Sequence, residues 1–139
     1  MKPSSGECCW PATKVRWLIW WLYVAAWSTA LLVPMPAGSE WKINDINVKF
    51  LFAKTVHVSA YAVWAMLSAW LLVPRHLRWF LLAGMALHAP ATEFLQTFVP
   101  GRTGNLRDVA LDLIGICLGC LLSWRLWRAP HKTPAGVIS

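Results

Sequence analysis

Ionisable and hydrogen-bonding side chains interrupt otherwise apolar runs at spacings that could do chemistry. Lys54, His57, Tyr61, Trp64 and Ser68 follow one another at intervals of three or four, which sets them on one face of a helix. His88, Thr92 and Gln96 repeat the pattern with Glu93 beside them, and Asp108 and Asp112 lie one helical turn apart further on. A histidine that meets a carboxylate can exchange protons near neutral pH, so His57 and Glu93 are the candidate acid and base. Lys54, Arg102 and Arg107 offer cationic donors to phosphate or carboxylate, the guanidinium bidentately. Lys54, Tyr61, Gln96, Arg102, Asp108 and Asp112 are the candidate ligand-binding residues.

Each of these also has a structural reading. Charges at helix ends serve as solvated anchors, and Gly115-x-x-x-Gly119 is a close-packing face before it is a ligand contact. Trp64 fits a core or lipid position, and His88 a hydrogen-bonded packing position. Glu93, Asp112 and His57 fit that reading less well. An unpaired carboxylate in hydrocarbon costs several kcal/mol, so such a group turns to the interior and takes partners. Lys54, His57 and Arg102 lie at the same expected depth and are the partners available.

No metal site and no cofactor is expected. Cys117-x-x-Cys120 sits inside an apolar run with no second Cys or His pair near it, and a structural zinc needs four ligands. Buried thiols are poor nucleophiles, and no histidine follows Cys120 to attach a haem. The pair is read as packing. Cys8 and Cys9 are adjacent, so the four cysteines imply no disulfide framework. Walker, Gly-x-Ser-x-Gly and His-Glu-x-x-His motifs are absent.

The elements that must hold these residues follow from composition. Hydrophobic residues make up 58% of the 139 and charged residues 14%, against about 25% charged in soluble domains. A domain this small could not bury so much apolar surface in water. The net charge of +7 sits at the ends of apolar runs rather than in a stripe, which excludes nucleic acid as partner. Many of the eleven tryptophans, Trp17, Trp20, Trp21, Trp41, Trp79, Trp124 and Trp127 among them, lie near run ends, where headgroups suit an amphipathic ring.

The expectation is an all-α membrane protein, a bundle of four transmembrane helices. Residues 1–15 form a disordered tail and 16–33 a first, uncleaved span that stops at Pro34 and Pro36. A mixed loop with Glu40, Lys42, Asp45 and Lys49 leads to a second span over Lys54–Val73. The third follows Arg78 to Phe98 through Pro90, the fourth covers Asp108–Trp127, and 128–139 is a cytoplasmic tail. Lys and Arg number eight on the side of the termini and five on the other, which sets both N- and C-termini in the cytoplasm. The polar residues then open toward the outer leaflet.

The same residues carry a resemblance. Lys54-x-x-His57-x-x-x-Tyr61, Glu93-x-x-Gln96, Pro100-Gly101-Arg102 and Asp108-x-x-x-Asp112-x-x-Gly115, in that order, resemble the VanZ-like family over 44–127, which holds three of the spans. These are small bacterial membrane proteins, named for a member associated with teicoplanin resistance. The resemblance implies a multi-pass protein of the bacterial plasma membrane acting in the cell envelope. The family pattern usually has asparagine where this chain has Asp112, so a neutral donor at that place is replaced by an acid.

Two functions fit. In the first, the outer-leaflet polar pocket binds an amphiphile, either a membrane lipid or a lipid-linked envelope component, with a link to glycopeptide or lipoglycopeptide resistance. In the second, the chain is a membrane enzyme acting on a lipid headgroup by acid–base or phosphoryl chemistry. There Asp108 and Asp112 orient the base or hold a divalent ion, and Tyr61, Thr92 and Thr97 are the hydroxyls well placed. A transporter fits poorly because the inner half of every span is apolar. A homo-oligomer is compatible with either function.

Overall fold

The computed structural model describes residues 10–34, 46–71, 73–102 and 104–128. Their regular structure is entirely helical: α1 (Trp10–Leu32), α2 (Ile46–Trp70), α3 (Arg75–Gln96), α4 (Leu106–Leu122) and the short α5 (Trp124–Arg128). Each long helix coincides with one expected span, but the ends differ. α1 starts at Trp10 rather than at Arg16, with Pro11 in its first turn, where a missing N–H leaves no helical bond unmade. α2 starts at Ile46, upstream of Lys54, because the apolar residues before Lys54 extend the helical run. α3 begins directly after Pro74 and runs through Pro90. α4 stops at Leu122, where the Ser123 hydroxyl donates to the Gly119 carbonyl at 2.5 Å. The tail residues 1–9 with Cys8 and Cys9, the loop residues Glu40, Lys42 and Asp45, and residues 129–139 lie outside the described residues.

Side-chain bonds fix the direction of each helix. Arg16 reaches the Trp70 carbonyl (3.3 Å), Trp20 donates to the Ser68 hydroxyl (2.8 Å) and Tyr23 to the Ala60 carbonyl (2.8 Å), so α1 and α2 run antiparallel. Ser28 meets His88 at 3.0 Å and Gln96 donates to the Leu31 carbonyl at 3.0 Å, so α3 runs alongside α1. Lys54 pairs with Asp108, and His57 with Asp112 at 3.0 Å, so α4 runs parallel to α2. The direction of the chain thus reverses three times over the four long helices. The start of α2, the end of α3 and the start of α4 share one end of the assembly with the end of α1.

The α2–α4 contact is the closest because α4 offers glycine there. A Cβ on Gly115 would strike the carbonyl of Val58, and one on Gly119 that of Ala62. Two glycines four apart meet two α2 backbone positions four apart, the small-residue seam that lets helix backbones touch. The expected packing role of Gly115 and Gly119 is what the structure contains. Cys120 packs partly buried against the core, as read from sequence, while Cys117 is exposed.

Polarity is distributed inside out. Ser68, Thr92, Glu93, Gln96 and Asp112 are buried, whereas Leu22, Phe80, Leu87, Phe94, Phe98, Leu121 and Leu122 are exposed. By length and hydropathy, one helix among the described residues is apolar enough to cross a membrane, over Thr13–Leu32. The others carry the interior polar residues, which lower their mean hydropathy, and α4 has 17 residues.

Candidate functional site

The polar residues of α2, α3 and α4 converge at the end where the Lys54–Asp108 ion pair forms the mouth, its side chains 17% and 14% exposed. One turn deeper, the His57 Nδ1 lies 3.0 Å from the Asp112 Oδ1. Asp112 is fully enclosed, and its Oδ2 has no hydrogen-bond partner among the described residues. Glu93 enters from α3, buried, and its Oε2 accepts the backbone N–H of Asn105 at 2.7 Å. Asn105 in turn caps α4, its side chain accepting the Arg107 N–H at 3.0 Å. Glu93 therefore fastens the first turn of α4 to α3. Gly104 makes that approach feasible, since a Cβ there would strike the Glu93 carbonyl. Donor atoms of His57, Glu93 and Asp112 all lie within 4.8 Å of one another.

Beneath this triad is a second, neutral network. The Tyr61 hydroxyl lies 2.9 Å from the His88 Nδ1, and the Ser28 hydroxyl lies 3.0 Å from its Nε2. In a neutral imidazole one nitrogen donates and the other accepts, and either hydroxyl can take the complementary role. His88 is thus the hydrogen-bonded packing residue expected, linking α1, α2 and α3. Trp27 and Trp64 enclose Tyr61, with ring centroids 6.3 and 5.7 Å away, and Trp27 also stands edge-on to His57 at 5.8 Å.

Removing the Tyr61 hydroxyl leaves a buried ring nitrogen of His88 unpaired, which costs about 1–3 kcal/mol. Tyr61→Phe is expected to lower the thermal unfolding midpoint of the detergent-solubilised protein by several degrees. An unchanged midpoint would mean that the Tyr61–His88–Ser28 chain carries no stability.

Of the residues expected to bind ligand, Lys54, Asp108, Asp112 and Tyr61 come together around His57 and Glu93. Gln96 and Arg102 lie to one side, at the end of α1. Gln96 donates to the Leu31 carbonyl, and the Arg102 Nη2 to the carbonyls of Ala30 and Val33 at 3.0 and 3.3 Å. These are carbonyls that a helix end leaves without intrahelical partners. Arg107 is exposed on the first turn of α4. Of the three hydroxyls read as well placed, Thr92 and Thr97 donate to backbone carbonyls of their own helix, and Tyr61 is engaged with His88.

Sequence reading assigned no site residue to the first span and so missed Trp27 and Ser28. The available signal was the stripe Trp20, Tyr23, Trp27 and Leu31 at intervals of three or four. It is masked because α1 is apolar around its whole circumference.

The family model described as VanZ/LLP1 matches residues 18–128. The chain belongs to the VanZ/LLP1 family. The matched region takes in most of α1 as well as the three helices that carry the motifs, so the VanZ/LLP1 unit includes the helix that supplies Trp27 and Ser28. No curated protein and no solved structure matches the chain. A described cavity of about 750 Å³ in this VanZ/LLP1 protein lies at the opposite end. Val63, Met66, Leu67, Trp70, Leu121 and Trp124 are among its lining, and no residue of the triad is. It is an open apolar groove between α2 and α4 with none of the chemistry of the triad.

Proposed function

We propose that this chain is a multi-pass protein of the bacterial plasma membrane with four spans, cytoplasmic termini and an outer-leaflet site that binds the headgroup of an amphiphile. The ligand class is a membrane lipid or a lipid-linked component of the envelope. The observation that carries the reading is an ionisable triad, Glu93 and Asp112 buried and His57 partly exposed, inside helices whose outward faces are apolar. Soluble proteins rarely leave so much apolar surface uncovered, whereas in lipid it is the normal exterior.

Helix lengths support four spans. At ~1.5 Å per residue, helices of 23, 25, 22 and 17 residues reach about 35, 38, 33 and 26 Å, against a hydrocarbon core of ~30 Å. The orientation rests on the distribution of cations. Arg16, Arg75, Arg78, Arg125 and Arg128 gather at the end opposite the triad, and Arg78 is held there by the carbonyls of Val73 and Trp127. Membership of the VanZ/LLP1 family supports a role in the envelope and a link to glycopeptide resistance.

At the mouth, exposed Arg107 supplies charge complementary to an anionic headgroup, and Lys54, paired with Asp108, adds to it where a headgroup takes the place of that partner. Native mass spectrometry of the detergent-solubilised protein, titrated with phosphatidylglycerol and with phosphatidylcholine, tests this. The wild type is expected to prefer the anionic lipid, and Lys54→Gln with Arg107→Gln to lose that preference about tenfold. Equal affinity for both lipids in the wild type, or no change in the double variant, would sink the reading.

A second reading has a specific observation in its favour, the hydrogen-bonded His57–Asp112 pair. A carboxylate that orients an imidazole is the arrangement of a general base. With the nearby hydroxyls engaged, water would be the nucleophile, and the reaction a hydrolysis of the bound headgroup. His57→Gln would then abolish turnover while headgroup binding persists.

A further inference from the structure

We infer that His57, Glu93 and Asp112 form a binding site for one divalent first-row transition-metal ion. The site is independent of the headgroup reading and stands or falls separately from it.

Charge accounting makes the first argument. Two carboxylates, Glu93 and Asp112, are 5% and 0% exposed and have donor atoms within 4.8 Å of each other and of a single imidazole. Like charges so close and so enclosed are costly unless cations compensate them. Lys54 pairs with Asp108, and Arg102 donates to the end of α1. Within the triad, His57 supplies at most one positive charge for two negative ones. A divalent ion balances the pair of acids.

Coordination geometry makes the second. His57 Nδ1 and Asp112 Oδ1 are 3.0 Å apart, about the separation of two ligands bound at right angles to one ion at ~2.1 Å each. Glu93 approaches from the third helix. Its Oε2 is held by the Asn105 N–H, so its other oxygen is available, and the bond to Asn105 fixes the carboxylate as hydrogen bonds to ligands commonly do. The widest donor pair, at most 4.8 Å, must close by about 1 Å or slightly more to share an ion, given ligand bonds of that length. Side-chain rotation covers such a change.

The third observation is the Asp112 Oδ2. It belongs to a fully enclosed side chain, yet among the described residues it has no hydrogen-bond partner. Buried polar atoms are almost always satisfied, and an exception calls for an explanation such as an ion. One imidazole and two carboxylates form a nitrogen–oxygen donor set with coordination positions left for water or a ligand oxygen, suited to manganese, iron(II) or zinc rather than to soft, thiolate-seeking ions. The entry path passes Lys54 and Asp108, both partly exposed. Sequence reading placed a divalent ion only at Asp108 and Asp112, under the enzyme alternative, and missed this set because its three ligands sit on three helices and form no contiguous spacing.

Manganese is the suitable probe because the thiols compete for it poorly. The full chain, purified in detergent and stripped with chelator, is titrated with Mn²⁺ and followed by the loss of the free-ion electron paramagnetic resonance signal, with Zn²⁺ as competitor. One Mn²⁺ per chain, displaced by Zn²⁺, is expected. Asp112→Asn and His57→Gln should each weaken binding tenfold or more, while His76→Gln, an exposed histidine at the opposite end, should leave it unchanged. Absence of stoichiometric Mn²⁺ and Zn²⁺ binding by the wild type would overturn the inference, whatever the variants do. So would undiminished binding in a monodisperse Asp112→Asn protein, or a tenfold loss in His76→Gln.

Discussion

Gly119→Val is expected to destabilise the protein by about 3 kcal/mol, the upper end of what overpacking a close contact usually costs. The added Cβ would meet the Ala62 carbonyl and come within 2.8 Å of the Ala65 Cβ. Neither is the far end of a flexible side chain, so α2 and α4 must separate. Separation would not stay local. The same two helices carry Lys54 with Asp108 and His57 with Asp112, and both pairs would lengthen. Thermal unfolding in detergent should show the midpoint falling by many degrees, with Mn²⁺ and anionic-lipid binding lost together. Gly84 gives the control, because nothing lies within 4 Å of a Cβ there, and Gly84→Ala should be neutral or slightly stabilising. A wild-type midpoint for Gly119→Val would refute the seam as the determinant of the site.

Asp112→Asn should act in the opposite direction on stability. Asparagine has nearly the shape of aspartate, keeps an acceptor for His57 and adds an N–H donor that a neighbouring carboxylate can accept. It also removes one negative charge from beside Glu93. In chelator-treated protein the substitution is expected to raise stability by about 1 kcal/mol, since an enclosed charge without full compensation is a burden on the fold. Groups held at such a cost tend to be functional. A drop in the unfolding midpoint would show that Asp112 is well compensated by its protein neighbours. The family pattern noted from sequence, with asparagine usual at this place, makes the substitution one the fold should accept.

The four long helices were legible because apolar runs of sufficient length stand between proline and charge clusters. Their ends were less so. The start of α2 at Ile46 lies ahead of the charge at Lys54, because a helix continues wherever its backbone bonds can be made. The faces of α2, α3 and α4 followed from intervals of three and four, and the structure brings together Lys54, His57, Tyr61, Glu93, Asp108 and Asp112. Gln96 and Arg102 share those faces or depths, yet they satisfy carbonyls at the end of α1. Spacing reports which side of a helix a residue occupies, but not which neighbour stands opposite. The partnership of Glu93 with the Asn105 N–H, and that of His88 with both Tyr61 and Ser28, depend on how helices dock. No periodicity in one segment encodes them.

The parallel docking of α2 and α4 has a further consequence for biogenesis. In the four-span arrangement proposed above, two parallel neighbours cannot pair until the intervening helix has carried the chain back across, so His57 and Asp112 would meet only after α3 is in place. Until then, Glu93 and Asp112 would be acids without their eventual neighbours, in segments entering a membrane. The turn at Gly101 and the Glu93–Asn105 bond join α3 to α4 as a hairpin, which would let the two acids travel together. In that arrangement the closing of the triad would be the last step of assembly.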